Sequence, residues 1–305
     1  MGFRQRSNVR LLAALLILFA LPAYGQNCEG IKSGLDADQK PQNVGRDIYG
    51  HSLDEIIERG WIQFAVYEDF APYSFEEDGV LKGIDIDLGR LIADDLEVEA
   101  RFYQTGAAEN VDADLRNNVI KGGLIGGSVS NVMLHVPYNR ELGCRNEQVV
   151  LTGQYFNESL AIAFSKETYP DGGPVPAYFR FDTVGVENDS LADFYLSSVG
   201  NGQLVGNMTR FATPDAAMAA LRAGEIDAVM GAKGQLQFGL NDQLDLHQPP
   251  LPGLALGEWT LGVAVRHNWR PLAYTVDDII RASISDGRLA EIFALYGVSF
   301  AEPNW

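Results

Sequence analysis

The sequence predicts an α/β chain of two lobes, each a parallel or mixed sheet flanked by helices, with two chain crossings between them. Three observations carry that prediction. Strand-length apolar runs alternate with helix-period segments between Ile62 and Val136. The alternation restarts between Thr183 and Met230. Once residues 1–25 are set aside, 280 of the 305 residues remain, near the size at which one hydrophobic core gives way to two.

Residues 1–25 read as an export signal. Arg4, Arg6 and Arg10 precede the apolar run LLAALLILFALPAYG, and the small residues Ala23 and Gly25 prepare a cut before Gln26. The run is shorter than the ~20 residues of a membrane-spanning helix, so the expectation is a chain delivered to a bacterial periplasm without stable membrane insertion. Gln26 and Asn27 separate the cut from Cys28, which argues against a lipid anchor there. Residues 26–50 have no periodicity and read as an extended lead-in.

Charge narrows the partners. The chain has 23 Lys and Arg against 41 Asp and Glu, a net charge of −18. Loss of the three leader arginines takes it to −21. Such an excess opposes nucleic acid and anionic membrane surfaces. It suits either a basic protein partner or an ordinary solvated acidic surface. Cys28 and Cys144 are the only cysteines, and His51, His135, His247 and His267 are scattered. No metal-ligand spacing results, and no cofactor motif is present. Between the two thiols, a bridge tying the mature N-terminus to the body and two free thiols both stay open.

The elements follow in order. Ser52 to Glu55 is a capping box that starts a short helix stopped by Gly60. Ile62–Val66 is a buried strand, and the aromatic loop Asp69-Phe70-Ala71-Pro72-Tyr73-Ser74-Phe75 leaves its carboxyl end. Ile84, Leu88, Leu91, Ile92 and Leu96 then keep helical spacing, with Asp85 and Asp87 in the first turn, where the helix dipole favours them. Val98–Tyr103 is a strand, Asp112–Lys121 a helix, and Val132–Val136 a third strand reached through GGLIGGSVSN. That Gly-rich loop lacks a P-loop Lys and joins no strand to a helix, so it is a poor phosphate cradle. Gln148 to Phe164 reads as two apolar runs split by Tyr155-Phe156-Asn157-Glu158. After a Pro/Gly-rich passage, a strand at Thr183–Val186, helices at Leu191–Ser198 and from Pro214, and a strand at Ile226–Met230 form the second unit. Trp259–Val265 is a strand, and Leu272–Ser285 and Arg288–Tyr296 are closing helices.

Ligands of open α/β sheets sit outside the carboxyl ends of strands. The Asp69–Phe75 loop is there, as a binding wall or as aromatics that plug the core.

The run FAVYEDFAPYSF…GVLKGIDIDLGRLIADDL resembles the N-terminal signature of family 3 extracellular solute-binding proteins, the polar amino-acid binders of ABC importers. QYFNESLAIAF resembles that family's hinge strand, TVGVENDSLADFYL its second-lobe entry, and AAMAALRAGEIDAVMG its return strand. LGVAVRHNWRPLAYTVDDIIRASISDGRLAEIFALYGV is similar to its closing strand and helices. AAENVDADLRNNVIKGGLIGGSVSNVMLHVP instead resembles a side branch, the J proteins associated with PQQ-dependent methanol dehydrogenases. The resemblance implies a type II periplasmic-binding-protein fold. Lobe 1 would be built from 51–157 and 236–305, with lobe 2 at 158–235.

It also implies site residues. Phe70, Tyr73 and Phe75 match the first-lobe aromatic wall, and Asp69 either accepts from a ligand or caps its loop. His135, Pro137 and Tyr138 leave the third strand where the ligand loop lies. Asn188, Asp189 and Ser190 match a turn whose helix N-terminus meets a ligand carboxylate, although capping explains them equally. Two departures matter. The family's carboxylate-gripping Arg is Gly143 here, with Arg140 and Arg145 nearby, and its ammonium-binding Asp is Gly231, followed by Ala232 and Lys233. A desolvated zwitterion needs both charges paired. The expectation is therefore a small molecule other than a typical α-amino acid, less polar or anionic, or no ligand at all, with Lys233 either the cation for the anionic case or an ordinary solvated lysine.

The implied function is non-catalytic: delivery of a solute to an ABC permease, or service as an accessory of a periplasmic quinoprotein dehydrogenase. The first predicts a closed polar cleft, the second a wide or apolar one. A dehydratase-like enzyme is a lower alternative, because no nucleophile–base motif is present.

Overall fold

The computed structural model describes residues 28, 50–123, 129–255 and 257–304. The expected export signal, most of the expected lead-in and the centre of the Gly-rich loop lie outside the described residues.

Helix α1 (Leu53–Arg59) starts at the Ser52–Glu55 capping box and stops at Gly60, whose φ is +76°. Strand β1 (Trp61–Tyr67) leads through the aromatic loop to a hairpin of β2 (Phe75–Glu77) and β3 (Val80–Lys82). Helix α2 (Ile84–Asp95) begins after Gly83, where a Cβ would lie 2.1 Å from the Tyr73 carbonyl oxygen. Strand β4 (Glu99–Thr105) follows, then α3 (Val111–Leu115), which widens into a π turn over Arg116–Ile120. There the buried Asn118 amide donates to the Asp114 carbonyl. Strand β5 (Val132–Pro137) and α4 (Arg140–Arg145) complete the first unit.

Strand β6 (Val149–Ser165) runs unbroken for 17 residues where the sequence suggests two runs. The interruption in hydropathy is real, but the polar group is satisfied: Glu158 is buried and hydrogen-bonded, and Tyr155 and Phe156 are fully buried. Strand β7 (Val184–Glu187), α5 (Leu191–Ser198), β8 (Met208–Phe211), α6 (Pro214–Arg222), β9 (Ala228–Ala232), α7 (Lys233–Phe238) and β10 (Leu244–His247) build the second unit. Sequence patterning does not predict β8, a four-residue edge strand with two exposed positions, or the short α4, α7 and β10. Strand β11 (Glu258–Arg266) and helices α8 (Arg270–Ser285) and α9 (Arg288–Leu295) close the chain.

Apart from the β2–β3 hairpin, the described strands form one mixed sheet in the order β4-β1-β5-β11-β6-β9-β7-β8, with β10 also on β6. Residues Val149–Ser159 of β6 pair with β11, and Leu160–Phe164 pair with β9. One strand thus carries the sheet from its first half into its second. The cores part at the same place. Residues from Ile56 to Phe156 and from Leu261 to Val298 cover both faces of the first half. Residues from Leu160 to Leu244 cover both faces of the second. Burial on both faces explains the near-continuous apolar runs of the strands.

Candidate functional site

The site begins at the carboxyl end of β1. Phe70 and Ser74 exchange backbone hydrogen bonds at 2.7 and 2.9 Å, and the Ser74 hydroxyl donates to the Tyr67 carbonyl. This tight loop places Phe70 and Tyr73 in a stack with centroids 5.5 Å apart. His135 of β5 stands edge-on to both rings, 4.8 Å from Phe70 and 4.2 Å from Tyr73. Behind it, Asp85 is fully buried in the first turn of α2. Its Oδ1 accepts from the Tyr155 hydroxyl at 2.8 Å, and its Oδ2 lies 3.2 Å from His135 Nδ1. The helix dipole alone explains a first-turn carboxylate, but this one also lies against the imidazole.

Glu158 sits where β6 passes between the sheet halves. Tyr73 donates its hydroxyl to Glu158 Oε2 at 2.5 Å, the Ser159 N–H donates to Oε1 at 2.8 Å, and the Gly234 N–H of α7 is 3.3 Å from both oxygens. Burial pushes the Glu158 carboxyl up, and the Tyr73 hydroxyl opposes that shift in part. Tyr73 is itself held well above its ordinary range, first by burial and then by the Glu158 charge. At neutral pH it is a neutral donor, so the contact joins first half, crossing strand and second half.

Above this floor is a cavity of about 250 Å³, just under the ~300 Å³ lower end of drug-sized pockets. The first half supplies Phe70, Tyr73, His135 and Trp259, and β6 supplies Glu158 and Leu160. The second half supplies Glu187, Ser190, Leu191, Met230, Gly231 and Leu236, among others. Among the described residues, no Lys or Arg lines it. The Glu187 carboxyl has no hydrogen-bond or ion-pair partner among those residues, and burial alone pushes it up. Among them, too, no three His, Cys, Asp or Glu gather as metal ligands.

Of the residues singled out from sequence, Phe70, Tyr73, His135, Ser190 and Gly231 come together on this cavity. The others do not line it. Asp69 is exposed, in left-handed backbone at φ +49°. Phe75 is on β2, against Phe238 and Tyr296. Pro137 pairs with Leu261, and the Tyr138 N–H donates to the Thr260 carbonyl, which keeps both on the sheet. Asn188 and Asp189 are bonded to each other at the surface, while Ser190 caps α5 by accepting from the Asp193 N–H. Lys233 opens α7 outside the lining. Arg145 is engaged by Asp112 and Glu141. Beside it, Cys144 is joined to Cys28 in a disulfide, which settles the choice the sequence leaves open.

Glu158 and Glu187 are not among the residues that sequence reasoning singles out. Their signals are nonetheless present: a lone acid inside an apolar strand, which is almost never buried without partners, and an acid at the carboxyl end of a parallel strand.

Residues 62–120 match the family model of bacterial extracellular solute-binding proteins, family 3. Among solved structures, an ancestral cationic amino acid solute-binding protein, AncCDT-1, superposes with a TM-score of 0.64 at 18% identity, covering 80% of this chain and 99% of that one. The fold is that of the amino-acid solute-binding proteins on which the chain superposes. A second structure of AncCDT-1, described as a precursor of cyclohexadienyl dehydratase, gives 0.57 at 18% identity over 80% and 98% of the two chains. An amino acid ABC transporter substrate-binding protein from Streptococcus pneumoniae bound to L-arginine gives 0.57 at 21%, over 83% and 100%. No protein of curated function matches the chain. The family 3 match spans β1 to the π turn and so includes the aromatic wall, whereas Glu158 and Glu187 lie beyond it. No helix among the described residues is long and apolar enough to cross a membrane.

Proposed function

We propose that this chain is a non-catalytic, exported solute-binding protein that holds a small molecule between its sheet halves and presents it to an ABC permease. The observation that carries this reading is the cavity itself, walled by Phe70, Tyr73 and His135 on one side and by Leu191, Met230 and Leu236 on the other. The two halves act as lobes around β6 and β11, the two strands at the crossing, and close on the solute by hinge motion. The mostly apolar lining is what a dehydrogenase accessory would have. A small cavity walled from both halves is what an importer's binding protein would have, and it favours solute capture.

The lining argues for a solute with an apolar or aromatic body and no carboxylate. A carboxylate brought here would lose water beside Glu158 and Glu187 and gain no Lys or Arg from the described residues. That weighs against ordinary α-amino acids and against an anionic ligand paired with Lys233.

A thermal-shift screen of amino acids, organic acids, sugars and small amines tests the reading. A solute at 100 times its dissociation constant adds about 2.7 kcal/mol, so stabilisation by at least one non-acidic solute is expected. A flat response across all classes would sink the solute-binding reading.

A further inference from the structure

We infer that Glu187 is the subsite for a positively charged head on the ligand, which makes the ligand class a small organic cation with an apolar or aromatic body. This rests on the solute-binding reading above and goes beyond it in naming the ligand's charge and the residue that meets it.

The argument starts from the two carboxylates on the cavity. Glu158 is fully engaged: a tyrosine hydroxyl and two backbone N–H groups donate to it, so its charge is already spread over fixed donors. Glu187 is different. It ends β7 with its side chain half-buried against the cavity and no partner among the described residues. A half-buried carboxylate without a protein donor gives up part of its hydration and gains no hydrogen bond in return. Nothing else among the described lining residues offsets it, since Lys and Arg are absent there and His135 is turned by its Nδ1 toward Asp85. Burial makes the Glu187 carboxyl harder to ionise, the environment in which a bound cation is most strongly felt.

The rest of the cavity supplies the body of the same ligand. The partly exposed Phe70 ring, backed by the buried Tyr73, offers a surface that suits either an aromatic ring or a cation's alkyl groups. Leu191, backed by the buried Met230 and Leu236, lines the cavity on the half that also carries Glu187.

Three probes with one skeleton separate the possibilities: phenethylamine, 2-phenylethanol and 3-phenylpropionate. Each is titrated by calorimetry into the full chain and into Glu187→Gln, with Asp189→Asn as a control that removes an equal charge two residues away on the exposed turn. The amine should bind the parent chain at least tenfold more tightly than the alcohol, and the acid should not bind. Glu187→Gln should abolish the amine's advantage while keeping the alcohol's affinity, which also shows that the variant is folded. Asp189→Asn should leave all three unchanged. Equal binding of amine and alcohol, or an amine advantage that survives Glu187→Gln, overturns the cation subsite and leaves solute binding standing. An equal loss with Asp189→Asn overturns it too, because the attraction is then general to this acidic surface. Binding of none of the three, with a flat solute screen, overturns both.

Discussion

At Gly234 the structure leaves no room for a side chain. A Cβ there would lie 2.4 Å from the Tyr73 hydroxyl and 2.9 Å from Glu158 Oε2. Both groups are buried and fixed by each other, so neither can swing away. Gly234→Ala should therefore break the Tyr73–Glu158 hydrogen bond and cost about 1–3 kcal/mol in urea denaturation. Asp193 tests the electrostatics. Its hydrogen bond to the Arg210 guanidinium holds its carboxyl below the usual carboxylate range, with burial opposing in part. A carboxyl depressed in the folded state contributes stability above its unfolded pKa, ~3.9 for Asp, and loses that contribution as pH falls through the folded value. The destabilisation caused by Asp193→Asn should be complete at neutral pH and fade in strong acid, measured as a pH series of denaturation midpoints. At this scale the aromatic wall is legible in the sequence, because Phe70 and Tyr73 sit in a loop at a strand's carboxyl end. Glu158 is not, because a single acid in a strand reads as an interruption until its three donors, from Tyr73, Ser159 and Gly234, are brought together by folding.

Among the elements, β6 decides how the molecule is divided. Its pairing with β11 is locally distorted at Gly153, φ +55°, opposite a register shift in β11. The Gly153 N–H and the Thr152 hydroxyl both donate to Asp277 of α8, which pins the distortion to the closing helix. Gly153→Ala would put a Cβ in left-handed backbone, 2.7 Å from Ile280 Cδ1 and 3.1 Å from Val263 Cγ2. It should destabilise the chain by about 1–3 kcal/mol, read as a lowered denaturation midpoint. The longer elements are legible because periodicity needs several residues to show: β1, α2, β5, α5, α6, α8 and α9 all fall close to their predicted places. The unpredicted ones are short and depend on partners distant in sequence. β8 is a ladder on β7, and β10 pairs only where β6 has already crossed.

For the whole molecule, the disulfide and the cavity both join parts distant in the chain. Cys28 and Cys144 are 116 residues apart. Cys28→Ser and Cys144→Ser should each cost about 2–4 kcal/mol, and the double variant no more than either single one, because they remove the same bond. Matching losses by thermal denaturation would support this. The cavity joins residues from Phe70 to Trp259, and only its family-like half is readable from sequence. The other half depends on which side chains β7, β9 and α7 turn inward. Calorimetric titration of the solute giving the largest thermal shift, into the parent chain and into Phe70→Ala, tests solute capture at this wall most directly. One site per chain, weakened at least tenfold by Phe70→Ala, is the expected result. Equal affinity in the two proteins would contradict it, placing the solute away from the aromatic wall.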